Sequence, residues 1–85
     1  MLYTPALELH TDVRITLTCD TEGSGTVGKV QRWQRDGTLA DEVAVPAGNA
    51  QVSLDLPAGR GDYLVLVMDP GVSATVGPLY FEALS

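Results

Sequence analysis

The sequence predicts a small all-β domain of seven short antiparallel strands. Nine glycines and five prolines are spread over 85 residues, which leaves little room for a helix of ordinary length between them. The run Asp62–Met68 holds the longest continuous apolar stretch and lies between Gly59-Arg60-Gly61 and Asp69-Pro70-Gly71. Apolar runs of this length between turn residues are typical of strands that are buried on both faces. A chain of 85 residues has the length of one small domain, so we expect a single domain over residues 1–85.

The first two strands are predicted from their alternation of apolar and polar residues. Leu2–Leu9 is the first, with Leu7 and Leu9 pointing inward; Pro5 lacks an N–H and suits an edge. Val13–Cys19 is the most regular, because its odd-numbered residues are apolar and its even-numbered residues are polar. Such a pattern predicts one core face and one solvated face.

A hairpin is predicted to follow a flexible loop at Asp20–Gly28. Its strands are Lys29–Arg35 and Leu39–Val45, and Asp36-Gly37 is a typical two-residue hairpin turn. With that turn, the numbers of paired residues sum to 73. The resulting pairs are Arg32 with Asp41, Val30 with Val43, Trp33 with Ala40, and Gln31 with Glu42. Val30 and Trp33 are three apart, so they lie on opposite faces unless a bulge intervenes.

The rest of the chain gives three more strands. Pro46–Asn49 is predicted to be a turn and Ala50–Leu56 the fifth strand, with its even-numbered apolar residues inward. After the sixth strand, Asp62–Met68, the segment Asp69-Pro70-Gly71 fits a type II turn. Ser73–Glu82 is the last strand, and Gly77-Pro78 predicts that it is kinked or lies at an edge.

Composition excludes several classes of function. The net charge is −6, with eleven acidic and five basic residues, so nucleic-acid binding is not expected. Cys19 is the single cysteine, so no intrachain disulfide can form. The N-terminus has neither a basic region nor an apolar signal segment, and we expect no membrane span. The chain is expected to be made in a cytoplasm and to leave a cell, if it leaves, by a route such as lysis.

Three motifs allow a functional interpretation, and each has a simpler structural one. Gly23–Gly28 spells G-x-G-x-x-G, but a dinucleotide site needs a following helix and a larger sheet, so a flexible loop is favoured. Arg60-Gly61-Asp62 spells an integrin-recognition tripeptide, yet its glycines also suit a turn. Asp20, Glu22 and Asp69 are candidate calcium ligands, although a solvated acidic loop is favoured.

No set of residues predicts catalysis. His10, Cys19 and Tyr63 are single titratable groups, whereas a nucleophile needs a base and the base an orienting group. No spacing of histidines or cysteines indicates a metal site. We therefore expect a protein that is not an enzyme and has no cofactor or bound metal.

Cys19 at the end of the second predicted strand, Trp33 on the third, and Leu56–Gly59 leading to Asp62-Tyr63 resemble an immunoglobulin-like or fibronectin type III-like domain. In this resemblance, Trp33 takes the place of a core tryptophan and Tyr63 that of a tyrosine corner. Val65 stands where the second cysteine would be. The resemblance implies a seven-stranded antiparallel immunoglobulin-like sandwich without a disulfide.

The sixth strand also predicts an interface, because both of its faces are apolar. We expect Leu64, Leu66 and Met68 to form a docking face, extended by Tyr80 and Phe81 on the last strand. The alternative is that the chain's own termini or loops cover that face. Phage particles often carry immunoglobulin-like domains, so the resemblance implies a virion accessory protein.

The expected function is thus a non-enzymatic structural or interaction module, as a capsid decoration or a tail component. Its partner would be such an assembly or further copies of the chain, and its location the virion or otherwise the cytoplasm. The alternative is a ligand-binding or cell-adhesive module that uses Arg60-Gly61-Asp62 or the Gly23–Gly28 loop.

Overall fold

The computed structural model describes residues 9–84, together with the backbone of residues 2–3, and its regular structure is entirely antiparallel β. The strands are β1 Leu2–Tyr3, β2 Val13–Trp33, β3 Leu39–Leu56, β4 Tyr63–Met68 and β5 Ala74–Ala83. They form one sheet in the order β1-β4-β2-β3, and β5 also pairs with β2. Within the described part of the chain, no helix is long and apolar enough to cross a membrane.

The all-β prediction is confirmed, and the prediction of seven strands is wrong. The described residues form four strands of six residues or more and the two-residue β1. The second and third predicted strands are joined in β2, and the fourth and fifth are joined in β3. Leu2–Tyr3 is in a strand as predicted, whereas the inward Leu7 and the edge Pro5 lie outside the described residues.

Both long strands bend at the segments where the sequence predicted a loop and a turn. The 21 residues of β2 would span roughly 70 Å if fully extended, whereas the longest dimension of the molecule is 38 Å. The pairing of β2 with β3 shifts between Thr21 and Gly28, where Gly23 and Gly25 have φ of 109° and 72°. Residues 22–26 are exposed there, so they form a large irregular bulge within β2 rather than a loop between separate strands.

The bends divide the sheet into two halves that share one core. The first half of β2 pairs with the second half of β3 and with β5, and the second half of β2 pairs with the first half of β3 and with β4. Buried side chains from both halves make a single cluster. Its members are Val13, Ile15, Leu17, Cys19, Val27, Val30, Val45, Val52, Leu54, Leu56, Leu64 and Leu66.

The hairpin between β2 and β3 has a three-residue loop instead of the predicted two-residue turn. The Gly37 N–H donates to the Gln34 carbonyl at 3.0 Å, and the Gln34 N–H donates to the Thr38 carbonyl at 2.8 Å. Gly37 has a φ of 88°, as expected for the left-handed residue that ends such a loop.

The predicted register nevertheless holds along most of this hairpin. Three of the four predicted pairs are confirmed, and the pair of Trp33 with Ala40 is wrong, because Trp33 faces Leu39. Ala40 is thus an extra residue in β3, and this bulge compensates for the longer loop.

Trp33 is not the core tryptophan that the resemblance implied. Its Nε1 donates to Oε1 of Gln31 at 3.0 Å, which places both side chains on the same face of β2. Val30 points the other way and is 1% exposed in the core. Because alternate residues face opposite sides, burying Val30 turns Trp33 to the outer face.

Of the two remaining turn predictions, one is confirmed and the other is wrong. The Val72 N–H donates to the Asp69 carbonyl at 3.2 Å, and Gly71 has a φ of 81°, as a type II turn requires. Gly77-Pro78 coincides with a shift in the pairing of β5 with β2, so it forms a bulge in an edge strand. Pro46–Asn49 is part of β3 rather than a turn.

Candidate functional site

Leu64, Leu66 and Met68 do not form the predicted docking face. Leu64 is 6% exposed, Leu66 is 7% exposed, and both belong to the core cluster, against which Met68 packs. The prediction is wrong for Leu64 and Leu66, which are core residues, and Met68 is partly buried against that core. Alternation along an all-apolar strand shows which residues share a face, but it does not show which face meets the core.

The opposite face of β4 is also largely covered. Val65 is 9% exposed, and Tyr63 and Val67 are half-buried. Their partners across the pairing with β2 include Trp33 and Gln31. Neither face of β4 therefore offers an open apolar surface.

The exposed apolar side chains gather instead on the last strand. Tyr80 is 60% exposed and Phe81 53%, with Leu79 at 37% and Leu84 at 41%. We call these four residues the β5 patch. Sequence reasoning had selected Tyr80 and Phe81 but missed Leu79 and Leu84, although Leu79-Tyr80-Phe81 is a continuous apolar run just after Pro78.

The β5 patch is apolar on both faces of the strand. Phe81 lies opposite Ile15 and Leu79 lies opposite Leu17, so both point to the core side of the sheet, where their partners are buried. Tyr80 lies opposite Thr16 and points to the outer side. The core side of β5 therefore continues the core beyond the area that the rest of the described chain covers.

One edge of β5 faces no other strand in the described part of the chain. β5 pairs with β2 and approaches no other described strand. In an antiparallel sheet, the N–H and C=O groups of alternate residues point to opposite sides, so an edge strand presents a row of unpaired backbone groups.

The outer edge of β3 provides an internal comparison. β3 also has a single described neighbour, but it carries the exposed acidic residues Asp41, Glu42 and Asp55 as well as the exposed Pro46. Charges and proline protect edge strands against pairing with other chains. On β5, Pro78 and the bulge precede the segment Leu79–Ala83, which itself carries a single charge, on Glu82.

A buried ion pair closes the core near the loop that follows β3. Nη1 of Arg32 donates to Oδ2 of Asp62 at 2.6 Å, and the side chains are 17% and 1% exposed. Nε of Arg32 and Oδ1 of Asp62 are buried without a hydrogen-bond partner. A Cβ on Gly61, whose φ is 67°, would collide with the guanidinium of Arg35.

The same contacts argue against the adhesive alternative. A recognition tripeptide must present its carboxylate to a partner, whereas the carboxylate of Asp62 is inside the fold and bound to Arg32. The glycine of the tripeptide is buried as well. Arg60 alone is exposed, and it does not make an adhesive motif by itself.

A cavity of about 310 Å³ lies beside this ion pair. Its lining residues are Asp12, Arg32, Asp55, Leu56, Pro57, Arg60 and Leu84. Most of its charged groups already have partners: Asp55 accepts from Nε of Arg14 at 2.9 Å, Asp12 accepts from the N–H of Ala58 at 2.8 Å, and Arg32 binds Asp62. The cavity therefore favours neither an anionic nor a cationic ligand.

Among the described residues, the structure does not bring the other candidate residues together into a site. Gly23–Gly28 lies in the bulge of β2 and continues as a strand, so the helix that a dinucleotide site requires does not follow it. Among the described side chains, which include Asp20, Glu22 and Asp69, no group of three could hold a metal ion. Cys19 is fully buried, and burial raises the pKa of its thiol.

Comparison with known proteins finds no matching family model, no similar curated protein and no similar solved structure. No related protein found by these comparisons therefore supports the resemblance to immunoglobulin-like domains. A functional argument for this chain has to start from its own surface, and the β5 patch is where that surface departs most from the polar exterior of the sheet.

Proposed function

We propose that this chain is a non-enzymatic interaction module whose β5 edge accepts an extended strand from another protein chain. The observation that carries the proposal is the segment Leu79–Ala83, which exposes apolar side chains on both faces and leaves one backbone edge without a described neighbour. Addition of a strand to such an edge uses backbone hydrogen bonds for affinity and side-chain contacts for specificity.

Strand addition suits this surface better than docking of a flat face. A partner that covered only the core side would bury Leu79 and Phe81 but leave Tyr80 in water, because Tyr80 points to the other side. An added strand places side chains on both sides of the sheet and covers all three. Burying an apolar side chain completely contributes about 1.5–3 kcal/mol, so covering the half-exposed β5 patch would contribute roughly half of that per residue.

The absence of enzymatic activity is part of the proposal. The core encloses Cys19, whose thiol is 0% exposed, so no substrate can reach it in the folded state. His10 is exposed beside a turn and has no role in the β5 patch. The described ion pairs join arginine or lysine to carboxylates, which is an arrangement that stabilises a fold.

We also propose that the two halves of the bent sheet pack as the two layers of a sandwich. The shared core cluster supports this arrangement, since a single sheet can bury one face only by folding over itself. The virion setting stays a proposal drawn from the resemblance. In that setting, the β5 edge would be the part of the chain that joins it to a shell or tail.

A synthetic peptide of residues 73–84 tests the edge directly. Added to the ¹⁵N-labelled protein, it is expected to shift the backbone amide signals of Leu79–Ala83 and of the neighbouring stretch of β2. A peptide with lysine at Tyr80 and Phe81 should leave those signals unchanged. A Leu39→Lys protein is the matched control and should still bind the native peptide. Leu39 is 42% exposed, but it lies on β3, which does not contact β5.

The proposal fails if the peptide shifts no amide signals, or if the shifts lie on β3 or β4 instead of β5. It also fails if the lysine-substituted peptide binds as well as the native one, because the apolar side chains would then contribute nothing.

A further inference from the structure

We infer that the strand taken up by the β5 edge comes from a different protein, runs antiparallel to β5, and alternates apolar residues with lysine or arginine. This inference rests on the proposed function and adds the chemistry of the partner. Three properties of the segment Leu79–Ala83 support it: the direction of its free backbone groups, the side chains on its two faces, and the charge around Glu82.

One backbone hydrogen bond determines which residues of β5 offer their N–H and C=O groups to the open edge. The Leu84 N–H donates to the Asp12 carbonyl at 2.9 Å, and these two residues continue the register in which Ala83 lies opposite Val13. Hydrogen-bonded pairs alternate with non-bonded pairs along an antiparallel ladder, so the even-numbered residues of this segment bond to β2. The odd-numbered residues point their backbone groups to the open edge, and these are Leu79, Phe81 and Ala83.

The same three residues direct their side chains to the core side of the sheet. An antiparallel strand that bonds to them places its own bonded residues directly opposite, on that same side. Leu79 is 37% exposed and Phe81 is 53% exposed, so apolar residues at these partner positions would cover them. The partner therefore bonds to β5 through the backbone of its apolar residues.

The outer side of the segment favours cations at the intervening partner positions. Glu82 is exposed, and the described ion pairs do not include it. Its neighbour Arg14 donates instead to Asp55 at 2.9 Å, so two carboxylates share one guanidinium and one negative charge is uncompensated. The ring of Tyr80 is 60% exposed and suits the aliphatic stem and the charge of lysine or arginine.

The features that protect β5 also restrict what it accepts. Pro78 and the bulge end the regular edge before Leu79, so the added strand pairs with the segment Leu79–Ala83 alone. The charge of Glu82 opposes an acidic strand and admits a basic one, and the net charge of −6 attracts a basic segment over a longer range. A contact of this size is typical of weak, transient complexes, and we expect dissociation constants of roughly 0.1–1 mM for a short peptide.

Titration of the ¹⁵N-labelled protein with three blocked peptides tests the chemistry of the partner. They are Thr-Val-Lys-Val-Lys-Val-Thr and its analogues with glutamate or glutamine in place of lysine. In about 0.05 M NaCl, the lysine peptide should bind about tenfold more tightly than the glutamate peptide, with the glutamine peptide between them, and this difference should fall to about threefold or less in about 0.5 M NaCl. The lysine peptide should shift the amide signals of Leu79–Ala83 and bind more tightly than the 73–84 peptide, which has no basic residue.

Two charge-reversed proteins locate the attraction. Glu82→Lys should reduce the preference for the lysine peptide over the glutamate peptide to about twofold or less. Glu22→Lys is the matched control, because it changes the net charge by the same amount. Glu22 is exposed in the bulge of β2, away from the residues that pair with Leu79–Ala83, so this variant should keep most of the preference.

Methylation of the peptide backbone tests the pairing itself. Because the apolar residues of the partner bond to β5, methyl groups on the amide nitrogens of the valines should abolish binding. The amides of the lysines point away from β5 in an antiparallel pair, so methyl groups on those nitrogens should leave binding unchanged.

The outcomes separate this inference from the function on which it rests. If the 73–84 peptide binds at β5 while the lysine and glutamate peptides bind equally well, the edge function stands and the basic partner is refuted. An equal loss of preference in Glu82→Lys and Glu22→Lys would also refute it, because the attraction would then come from the net charge alone. Binding that survives methylation at the valines would refute the antiparallel pairing. If none of the peptides shifts the signals of Leu79–Ala83, the proposed function falls as well.

Discussion

Replacing Arg32 with methionine would leave the carboxylate of Asp62 inside the fold without its cation. The side chain of Asp62 is 1% exposed, and the contact that holds it is the 2.6 Å ion pair with Arg32. Removing one partner of a buried ion pair costs about 3–5 kcal/mol, because the remaining charge is uncompensated. The whole stability of a small domain is about 5–15 kcal/mol, so Arg32→Met is expected to fold marginally.

Removing both charges should restore most of that loss. In the double variant Arg32→Met/Asp62→Leu, no charge remains in the core. Nε of Arg32 and Oδ1 of Asp62 are buried without a hydrogen-bond partner, so the native pair does not recover all the hydrogen bonds that it gave up to water. Apolar replacement of such pairs is often neutral or stabilising, and we expect the double variant to lie within about 1 kcal/mol of the native chain.

Urea unfolding followed by circular dichroism measures these differences. With a slope of about 1.5 kcal/mol per molar urea, a loss of about 3 kcal/mol lowers the midpoint by roughly 2 M. Arg14→Met is the matched control, because Arg14 forms an ion pair with Asp55 whose side chains are 46% and 55% exposed, and its midpoint should fall by less than about 0.7 M. A midpoint for Arg32→Met as high as that of Arg14→Met would refute the reasoning.

Four further predictions concern the core and the surface of the sheet. Gly28→Ala should cost about 1–3 kcal/mol in urea unfolding, since its Cβ would lie 2.6 Å from the Val67 carbonyl oxygen; an unchanged midpoint would contradict the close approach of β2 and β4. Cys19 should react with a thiol reagent only in urea, because burial raises the pKa of its thiol. Rapid reaction of the native chain would show that Cys19 is not buried in the core. The hydrogen bond from Arg14 lowers the pKa of Asp55. The stability that ionised Asp55 contributes is therefore present above the ordinary pKa of aspartate and is lost as the pH falls through the lowered value. The urea midpoint should accordingly change less between pH 7 and pH 3 in Asp55→Asn than in the native chain, and an equal change would contradict this prediction. Leu66→Asp should lose the native circular dichroism spectrum, since Leu66 is 7% exposed in the core. A variant that keeps the native spectrum would show that Leu66 is not a core residue.

The alternation of apolar residues predicted the straight parts of β2 and β3 but not their continuity. Asp20–Gly28 and Pro46–Asn49 contain the glycines and the proline that normally end strands. In the structure, these two irregular segments lie across from each other, and the bulge in β2 matches the bend in β3. Each segment becomes part of a strand because the other provides its partner. That condition depends on residues about 25 positions apart, so no local pattern could show it.

The candidate site was predicted only in part for a related reason. Period-two alternation assigns residues of β4 to two faces without saying which face is covered, because the covering half of the sheet comes from distant segments. The ion pair of Arg32 with Asp62 joins residues 30 positions apart, whereas the sequence around Asp62 predicted a turn before a strand, with adhesion as the alternative. Tyr80 and Phe81 were predicted as an extension of the β4 docking face, and they are exposed although Leu64 and Leu66 are buried.

The two edges of the sheet differ in their exposed side chains, and this difference is relevant to whether the β5 patch binds a partner. A strand that merely ends a sheet meets water on one edge and carries charged or polar residues there, as β3 does with Asp41, Glu42 and Asp55. β5 carries one acidic residue, Glu82, and its run Leu79-Tyr80-Phe81 is exposed. Exposed apolar residues at the edge of a sheet favour aggregation unless a defined partner covers them. The proposed addition of a strand would satisfy this condition, because it would cover the open edge and both faces of the β5 patch.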